Sequence, residues 1–383
     1  MKKLCLIVSV AGLICVRTSG GELPPIQTVF IIMMENHSWP EIRTNANAAY
    51  INNTLVPMGS HCEDYENVPG LHPSLPNYLW LEAGTNFGIF DDSYPAQNHQ
   101  NTTNHLVTLL NNAGISWKAY SEGASATELP LSGGPSSINH TPFIYFDDVT
   151  CTNDPACAYG LAHVRPYEEL AGDLTNNTVG RYNFIIPAVC HNMHDVCGLG
   201  DPVLQGDLWL SQEVPRILNS PAYTNQGALF ILFDETDGAD PQIPMILLSP
   251  LAKGEGASSG VRYTHSSMLR TLQEIFSVGP FLGDAANAVN LSDLFTATNP
   301  IVSLDSTNFE VTQIKQGRDG VTRITVSGLA TNAPLVLQTS SDFLTWLPVS
   351  TNFPRVITFT VWLTNGPPEA LDRRFYRFMQ SLP

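Results

Sequence analysis

The sequence predicts an α/β domain with a mostly parallel central sheet, followed by a small β-sandwich. Two continuous apolar runs, at residues 29–34 and 228–233, each end directly at acidic residues. Short runs of this kind are typical of strands buried on both faces, as in parallel sheets. After residue 295 the pattern changes to short alternating segments separated by turn residues. Such segments favour a β-sandwich.

Apolar and amphipathic segments give the order of elements in the α/β part. Strands are predicted at residues 27–34, 182–187, 227–233 and 243–249. Helices are predicted at 103–112 and 207–218, and a third begins near His265 and ends before Gly279-Pro280. Apolar side chains recur at helical spacing in this third helix. Residues 121–141 are rich in Gly, Ser and Pro, which predicts a long loop over the site discussed below.

The first 21 residues have the pattern of a secretory signal peptide. Lys2 and Lys3 precede an apolar run from Leu4 to Cys15, and cleavage is expected within residues 18–21. The run is too short to span a bilayer comfortably, and no later stretch is long and apolar enough. We therefore expect export to the periplasm or the extracellular space, with domains at residues 22–297 and 303–383. A lipoprotein anchored through Cys15 is the weaker alternative.

The chain is strongly acidic, which bears on its partners. Its net charge of −17 becomes −20 when Lys2, Lys3 and Arg17 leave with the signal peptide. An acidic surface repels nucleic-acid backbones and anionic lipid, so a nucleic-acid scaffold is excluded. A phosphorylated substrate would have to be attracted locally, by a metal ion rather than by the overall field.

The cysteines that remain after cleavage are compatible with disulfides in an exported protein. Their close spacings favour the pairs Cys151–Cys157 and Cys190–Cys197 and leave Cys62 unpaired.

Two acidic pairs follow the apolar runs directly. Glu35-Asn36 ends the first run and Asp234-Glu235 ends the later one. Ligands of parallel α/β sheets bind beyond the carboxyl ends of the strands, so both pairs are expected at one rim. Carboxylate and amide oxygens suit a hard or borderline divalent cation. The alternative interpretation is a pair of ordinary solvated turns.

A serine lies between these pairs in the sequence, at a predicted helix start. The segment from His72 to Tyr78 reads HPSLPNY, and Ser74 precedes residues 78–81, which can continue a helix. A serine there lies at the positive end of the helix dipole, near backbone donors. The alternative is a simple helix cap, since serine is favoured at that position anyway.

Histidines also follow predicted strands or open predicted helices. His191, His194 and Asp195 come after the strand at 182–187, and His265 opens the third helix. Imidazoles can ligate a metal, contact a phosphate or protonate a leaving group. Taken singly, each is equally compatible with a structural role.

Together these segments resemble the bacterial phosphoesterase family, which contains acid phosphatases and phosphatidylcholine-type phospholipases C within the alkaline phosphatase superfamily. The segments are residues 30–38, residues 72–78, His194-Asp195 and residues 234–236. Residues 73–78, with Gly84 and Gly88-Ile89, are also similar to the nucleophile segment of nucleotide pyrophosphatase/phosphodiesterases, where a threonine replaces Ser74. The resemblance covers roughly residues 27–295.

The resemblance implies an alkaline-phosphatase-like three-layer sandwich that holds a metal. It implies metal ligation by Glu35, Asn36, Asp234 and Glu235, with Ser74 as both nucleophile and ligand. Two-zinc members have an Asp-His pair where this chain has Asp234-Glu235, so one divalent ion is expected: Zn, Ca, Mn or Mg. The remaining implied roles are catalysis by His194 and His265, and phosphate binding by His72, Asn77, His191 and Asp195.

The sequence thus predicts an exported, metal-dependent phosphoesterase that forms a phosphoserine and acts on small phosphorylated substrates. The favoured activity is that of an acid-phosphatase-like phosphomonoesterase. A phospholipase C or phosphodiesterase is the enzymatic alternative, and a non-catalytic exported binding protein is the other. For the C-terminal module we expect an accessory role, with contact to the cell surface or to glycan as a hypothesis.

Overall fold

The computed structural model describes residues 21–132, 138–198, 200–236, 238 and 240–296, and the backbone of six strands between residues 310 and 380. The chain divides into two compact units between residues 298 and 299. The predicted signal peptide falls almost wholly on residues 1–20, outside the described part. The roles assigned to the two domains stay predictions.

An eight-stranded sheet forms the centre of the first unit, in the order β5-β4-β6-β1-β7-β8-β2-β9. All neighbouring pairs are parallel except those made by β8, so the sheet is mostly parallel as predicted. Strands β3 and β10 form a separate parallel pair. The strands are β1 Thr28–Met34, β2 Ser60–Cys62, β3 Tyr65–Glu66, β4 Trp117–Ser121, β5 Val164–Pro166, β6 Tyr182–Ile186, β7 Gly227–Phe233, β8 Met245–Leu248, β9 Ala257–Ser259 and β10 Tyr263–Thr264.

Helices cover both faces of this sheet. Every residue of β6 and β7 is buried, and successive residues of a strand point to opposite faces, so neither face is open to water. The helices are α1 Trp39–Arg43, α2 Val56–Met58, α3 Ser74–Ala83, α4 Pro95–Asn98, α5 Leu106–Asn112, α6 Asp147–Thr150, α7 Ala158–His163, α8 Glu169–Asn176, α9 Pro202–Leu218, α10 Pro221–Thr224 and α11 His265–Ile275. Helix α3 packs against α5 and α11, while α8, α9 and α10 pack together. Among the described residues, no helix is long and apolar enough to cross a membrane.

Shorter helical segments complete the unit. A π-helical turn covers Ile51–Leu55, and 3-10 turns cover Ile138–His140, Pro142–Tyr145, Gly283–Ala286 and Ser292–Leu294. The described part of the predicted loop at 121–141 has no helix or strand beyond the end of β4 and the turn Ile138–His140.

The predicted strands and the third helix are confirmed, but two helix starts were wrong. Helix α9 begins at Pro202 rather than 207, because the Asp201 side chain caps it by accepting from the Leu204 N–H at 2.8 Å. Helix α5 begins at Leu106 rather than 103. There the preceding His105 is extended, and its ring lies between two carboxylates.

Both predicted disulfides are confirmed. Cys151–Cys157 and Cys190–Cys197 each join Cα atoms 5.6 Å apart, and Cys62 is a free, buried thiol.

The second unit contains two three-stranded antiparallel sheets, β11-β12-β15 and β14-β13-β16. Their strands are β11 Glu310–Gln316, β12 Thr322–Ser327, β13 Leu335–Ser340, β14 Leu347–Asn352, β15 Thr358–Leu363 and β16 Phe375–Gln380. The prediction that this region consists of short strands is confirmed.

Candidate active site

The register of two neighbouring strands brings the two acidic pairs together. In the parallel pairing of β1 with β7, Met34 lies opposite Phe233, so Glu35 and Asp234 leave the sheet side by side. The Asp234 N–H donates to the Met34 carbonyl at 3.1 Å. Both carboxylates are fully buried. The predicted meeting of the two pairs at one rim is confirmed.

Asn36 lies with its side-chain amide against both carboxylates of this pair. Its backbone is in the left-handed region at φ 56°, a conformation that asparagine tolerates better than most residues. Its side-chain amide nitrogen donates to Glu35 Oε2 at 3.2 Å and to Asp234 Oδ1 at 3.3 Å. Rotated by a half-turn, the same amide would offer its oxygen to a cation held by the two carboxylates.

One buried carboxylate oxygen at this site suits a bound cation. Asp234 Oδ2 is buried and has no hydrogen-bond partner, which is costly for a carboxylate oxygen away from water. No three Asp, Glu, His or Cys side chains in the described residues converge as metal ligands, so the oxygens of Asn36 and Ser74 would have to complete the set. An all-oxygen set of this kind suits a hard cation.

Two side chains of helix α3 donate hydrogen bonds to the two carboxylate oxygens of Glu35. Ser74 is the first residue of this helix, and its Oγ donates to Glu35 Oε2 at 3.2 Å. Tyr78 lies one turn later on the same face of the helix, and its hydroxyl donates to Glu35 Oε1. Ser74 is also close enough to Asp234 to lower the pKa of that carboxyl, against the larger effect of burial. The serine predicted from the sequence therefore contacts Glu35 at the rim where the two buried carboxylates meet.

Glu235 faces the first turn of the same helix. Its Oε2 accepts from Asn77 Nδ2 at 3.0 Å and lies 2.6 Å from His72 Nδ1. More than half of the His72 side chain, 55%, is exposed, so this ring lies at the mouth of the site. Metal ligation by Glu235 and phosphate binding by His72 and Asn77 stay predictions.

Burial makes the free site poorly suited to negative charge. Desolvation raises the pKa of Glu35 well above its usual range, and the nearby Asp234 charge raises it further. The hydrogen bond from Tyr78 opposes this and lowers the pKa of Glu35. Desolvation also raises the pKa of Asp234. A bound divalent cation would favour the ionised form of both carboxylates.

One histidine at this site was missed in the sequence. His140 is buried, its Nε2 lies 3.3 Å from Glu35 Oε1, and its ring stacks on Tyr78 with centroids 5.1 Å apart. Burial lowers the pKa of His140 to about 3, so the ring is neutral. In the sequence, His140 could have been found only from its place near the end of the loop predicted to cover the site.

His265 lies behind Asp234, with both ring nitrogens in use. Its Nε2 donates to the Asp234 carbonyl at 2.6 Å, and its Nδ1 accepts from the Tyr65 hydroxyl at 3.2 Å. Burial lowers the pKa of His265 to about 4, which keeps the ring neutral. This arrangement fixes the backbone at the end of β7. A catalytic role for His265 stays a prediction.

The loop closed by Cys190–Cys197 carries the remaining predicted residues. His194 is 39% exposed, its Nδ1 lies 2.7 Å from Asp195 Oδ1, and its ring centroid is 6.3 Å from that of His140. His191 instead lies with its Nδ1 2.7 Å from Glu122 Oε2 and stacks on Trp209. His194 therefore borders the carboxylate cluster through His140, whereas Glu122 holds His191. The predicted roles of all three loop residues stay predictions.

A family model decides where the chain belongs. Residues 45–279 match the model of the phosphoesterase family, and this stretch includes Ser74, Asp234 and His265. The chain belongs to the phosphoesterase family. This phosphoesterase is accordingly a phosphoric ester hydrolase, as its sequence predicts, and the non-catalytic alternative is not supported.

Named relatives of this phosphoesterase are phosphatases and a phospholipase. It is 27% identical to a phosphatidylinositol-3-phosphatase of Mycobacterium tuberculosis over 73% of this chain and 86% of the relative. It is 24% identical to a probable acid phosphatase of Kluyveromyces lactis, over 74% of this chain and 68% of that one. Identity to a non-hemolytic phospholipase C of Pseudomonas aeruginosa is 22%, over 59% of this chain but only 39% of the relative.

Among solved structures, a protein of the alkaline phosphatase superfamily from Vibrio parahaemolyticus matches with a TM-score of 0.47 and 10% identity. The match covers 88% of this chain and 84% of the other.

Proposed function

We propose that this phosphoesterase is an exported, metal-dependent phosphomonoesterase that uses Ser74 as its nucleophile. The observation that carries the proposal is the hydrogen bond from Ser74 Oγ to the buried carboxylate of Glu35, which lies beside the buried Asp234. A serine that only caps a helix needs no such partner. Buried carboxylates beside a hydroxyl form a costly arrangement that suits metal-assisted nucleophilic chemistry.

Four oxygen-bearing side chains would hold the metal. Glu35, Asn36, Asp234 and Ser74 supply the oxygens, and Glu235 is a further ligand in the hypothesis. One divalent ion is expected, with Zn, Ca, Mn and Mg as candidates. When bound, the ion would lower the pKa of the serine hydroxyl and offset the charge of the transferred phosphate.

The protein groups then act in a defined order. Ser74 Oγ gives up its proton to solvent water and forms a bond to phosphorus, while the bond from phosphorus to the leaving oxygen breaks. Water then attacks the phosphoserine, releases phosphate and restores Ser74. His194 is the proposed proton donor to the leaving oxygen, since its ring lies near that of His140 and Asp195 holds its Nδ1.

Other residues of the site hold these groups in place or receive the substrate. His265 fixes the Asp234 backbone, and Tyr78 with His140 fixes Glu35. The exposed ring of His72 is placed to contact a phosphate oxygen at the mouth of the site.

The names of the relatives favour a phosphomonoester substrate. Two of the three relatives above are named as phosphatases, and they match the larger shares of this chain. The phospholipase C supports the diester alternative, but this chain spans well under half of it. A role for the C-terminal unit in contact with a surface or glycan stays a hypothesis.

The test is hydrolysis of p-nitrophenyl phosphate and of its bis-ester by metal-stripped protein, with divalent ions added back singly. We expect turnover to return with at least one ion and to be faster on the monoester. Faster turnover of the bis-ester would favour the diesterase alternative. Unchanged turnover in the stripped protein would contradict metal dependence.

A further inference from the structure

The acidic residue Asp92 lies at the start of helix α3, beside the proposed nucleophile. Its Oδ1 accepts a hydrogen bond from the backbone N–H of Leu75 at 2.9 Å. Leu75 follows Ser74 directly, so covalent geometry places this carboxylate oxygen within about 7 Å of Ser74 Oγ. Asp92 is not a member of the proposed metal site, and nothing in the sequence pattern singled it out.

The loop that carries Asp92 is held at both ends. After α3 ends at Gly84, the chain turns at Asn86, whose buried side chain donates to the Ile89 carbonyl at 2.7 Å. Beyond Asp92, the hydroxyl of buried Tyr145 donates to the Ser93 carbonyl at 3.0 Å. Asp92 is exposed, but these hydrogen bonds hold its carboxylate over the first turn of α3.

Asp92 also accepts from a backbone N–H that could otherwise donate to a bound phosphate. The first N–H groups of a helix lack intrahelical partners and favour anions. In α3 the Leu75 N–H is taken by Asp92, and Pro76 has no N–H to offer. A phosphate on Ser74 is thus left with fewer backbone donors and with an extra negative neighbour.

The charge balance at Ser74 points in the same direction. Glu35, Asp234 and Glu235 already place three carboxylates here, and no lysine or arginine is among the described hydrogen-bond partners of Glu35, Ser74 or Asp234. A phosphomonoester carries two negative charges above about pH 6, whereas a diester carries one. Repulsion from a fixed carboxylate is therefore about twice as large for the monoester dianion.

We propose that Asp92 is a specificity-determining residue that disfavours doubly charged phosphate groups at Ser74 and favours singly charged phosphate esters. The inference rests on the proposed function, in which Ser74 receives the phosphoryl group. It deepens that function, because it makes the monoanion of a phosphomonoester a better substrate than the dianion.

The test compares Asp92→Asn with wild type on p-nitrophenyl phosphate and its bis-ester at pH 7.5. Asparagine still accepts from the Leu75 N–H, so the helix cap is kept while the charge is removed. We expect KM to fall about fivefold for the monoester and about twofold for the diester, the range of exposed charge pairs. Asp91→Asn is the matched control, since Asp91 accepts from the Ser93 N–H and from Asn98 instead. Asp91→Asn removes the same charge one residue away. We expect the ratio of the monoester KM to the bis-ester KM to stay at its wild-type value.

A binding measurement separates failure of this inference from failure of the proposed function. In a Ser74→Ala background, calorimetry with inorganic phosphate and dimethyl phosphate reports charge preference without turnover. Asp92→Asn should raise the affinity for phosphate about fivefold and for dimethyl phosphate about twofold. An equal change for both ligands, or the same change in Asp91→Asn, would overturn the role of Asp92. Absence of serine-dependent turnover would instead contradict the proposed function, and the binding result would still decide on Asp92.

Discussion

The hydrogen bond from Tyr78 to Glu35 should set how tightly the proposed metal site binds a divalent ion. Both groups are fully buried, and the hydroxyl favours the ionised form of the carboxyl. A hydrogen bond to a charged group contributes about 1.5–3 kcal/mol. Because 1.4 kcal/mol corresponds to a factor of ten, Glu35 in Tyr78→Phe should hold a proton about 10- to 100-fold more tightly. Metal must displace that proton, so we expect metal affinity at neutral pH to fall by about the same factor.

Calorimetric titration of the stripped protein with each divalent ion measures this loss directly. Tyr120→Phe is the matched control. Tyr120 lies on strand β4, and its hydroxyl donates to the Asp173 carboxylate at 2.7 Å. This substitution removes the same kind of hydrogen bond without touching Glu35, and we expect it to leave metal affinity unchanged. Equal metal affinities in the two variants would refute the argument that Tyr78 controls the charge state of Glu35.

Two further substitutions test other parts of the structure. Asp234→Asn should lower metal affinity at least about tenfold and lower turnover with it, and unchanged metal content would show that Asp234 is not a ligand. His105→Gln tests a buried cluster away from Ser74. Burial alone would lower the pKa of His105, but hydrogen bonds to Asp148 and Glu82 outweigh it and raise the pKa. Since the folded pKa exceeds the unfolded value of about 6.5, this stabilisation is complete below that pH and is lost as the pH rises through the folded pKa. Urea unfolding should show a loss of about 2 kcal/mol in His105→Gln at pH 6, shrinking by pH 9, and a loss that grew with pH would contradict the charged cluster.

The acidic part of the site could be predicted because it follows from strand chemistry alone. Continuous apolar runs identify strands buried on both faces, and parallel strands end at a common rim. Glu35 and Asp234 then had to meet, and the register of β1 with β7 places them side by side. The helix start at Ser74 could also be predicted, whereas its role as nucleophile came from the resemblance to the phosphoesterase family.

The surrounding residues could not be predicted, because their roles depend on long-range packing. Tyr78 has the sequence signature of an ordinary core aromatic residue in a helix, and only its hydroxyl contact with Glu35 shows otherwise. His140 lies in a loop without periodicity, and Asp92 is one of two adjacent loop aspartates. In sequence, His191 and His194 are equally good candidates for the site. Only the contact of His191 with Glu122, which is distant in sequence, distinguishes them.

The central claim is that Ser74 carries the phosphoryl group, and one comparison tests it most directly. Metal-restored hydrolysis of p-nitrophenyl phosphate should be measured for wild type, Ser74→Ala and Ser74→Thr. Loss of the nucleophile should cost at least about 4 kcal/mol, or about 1,000-fold in rate. The threonine variant keeps a hydroxyl and should retain measurable turnover. A Ser74→Ala protein that kept most of the metal-dependent rate would contradict the account.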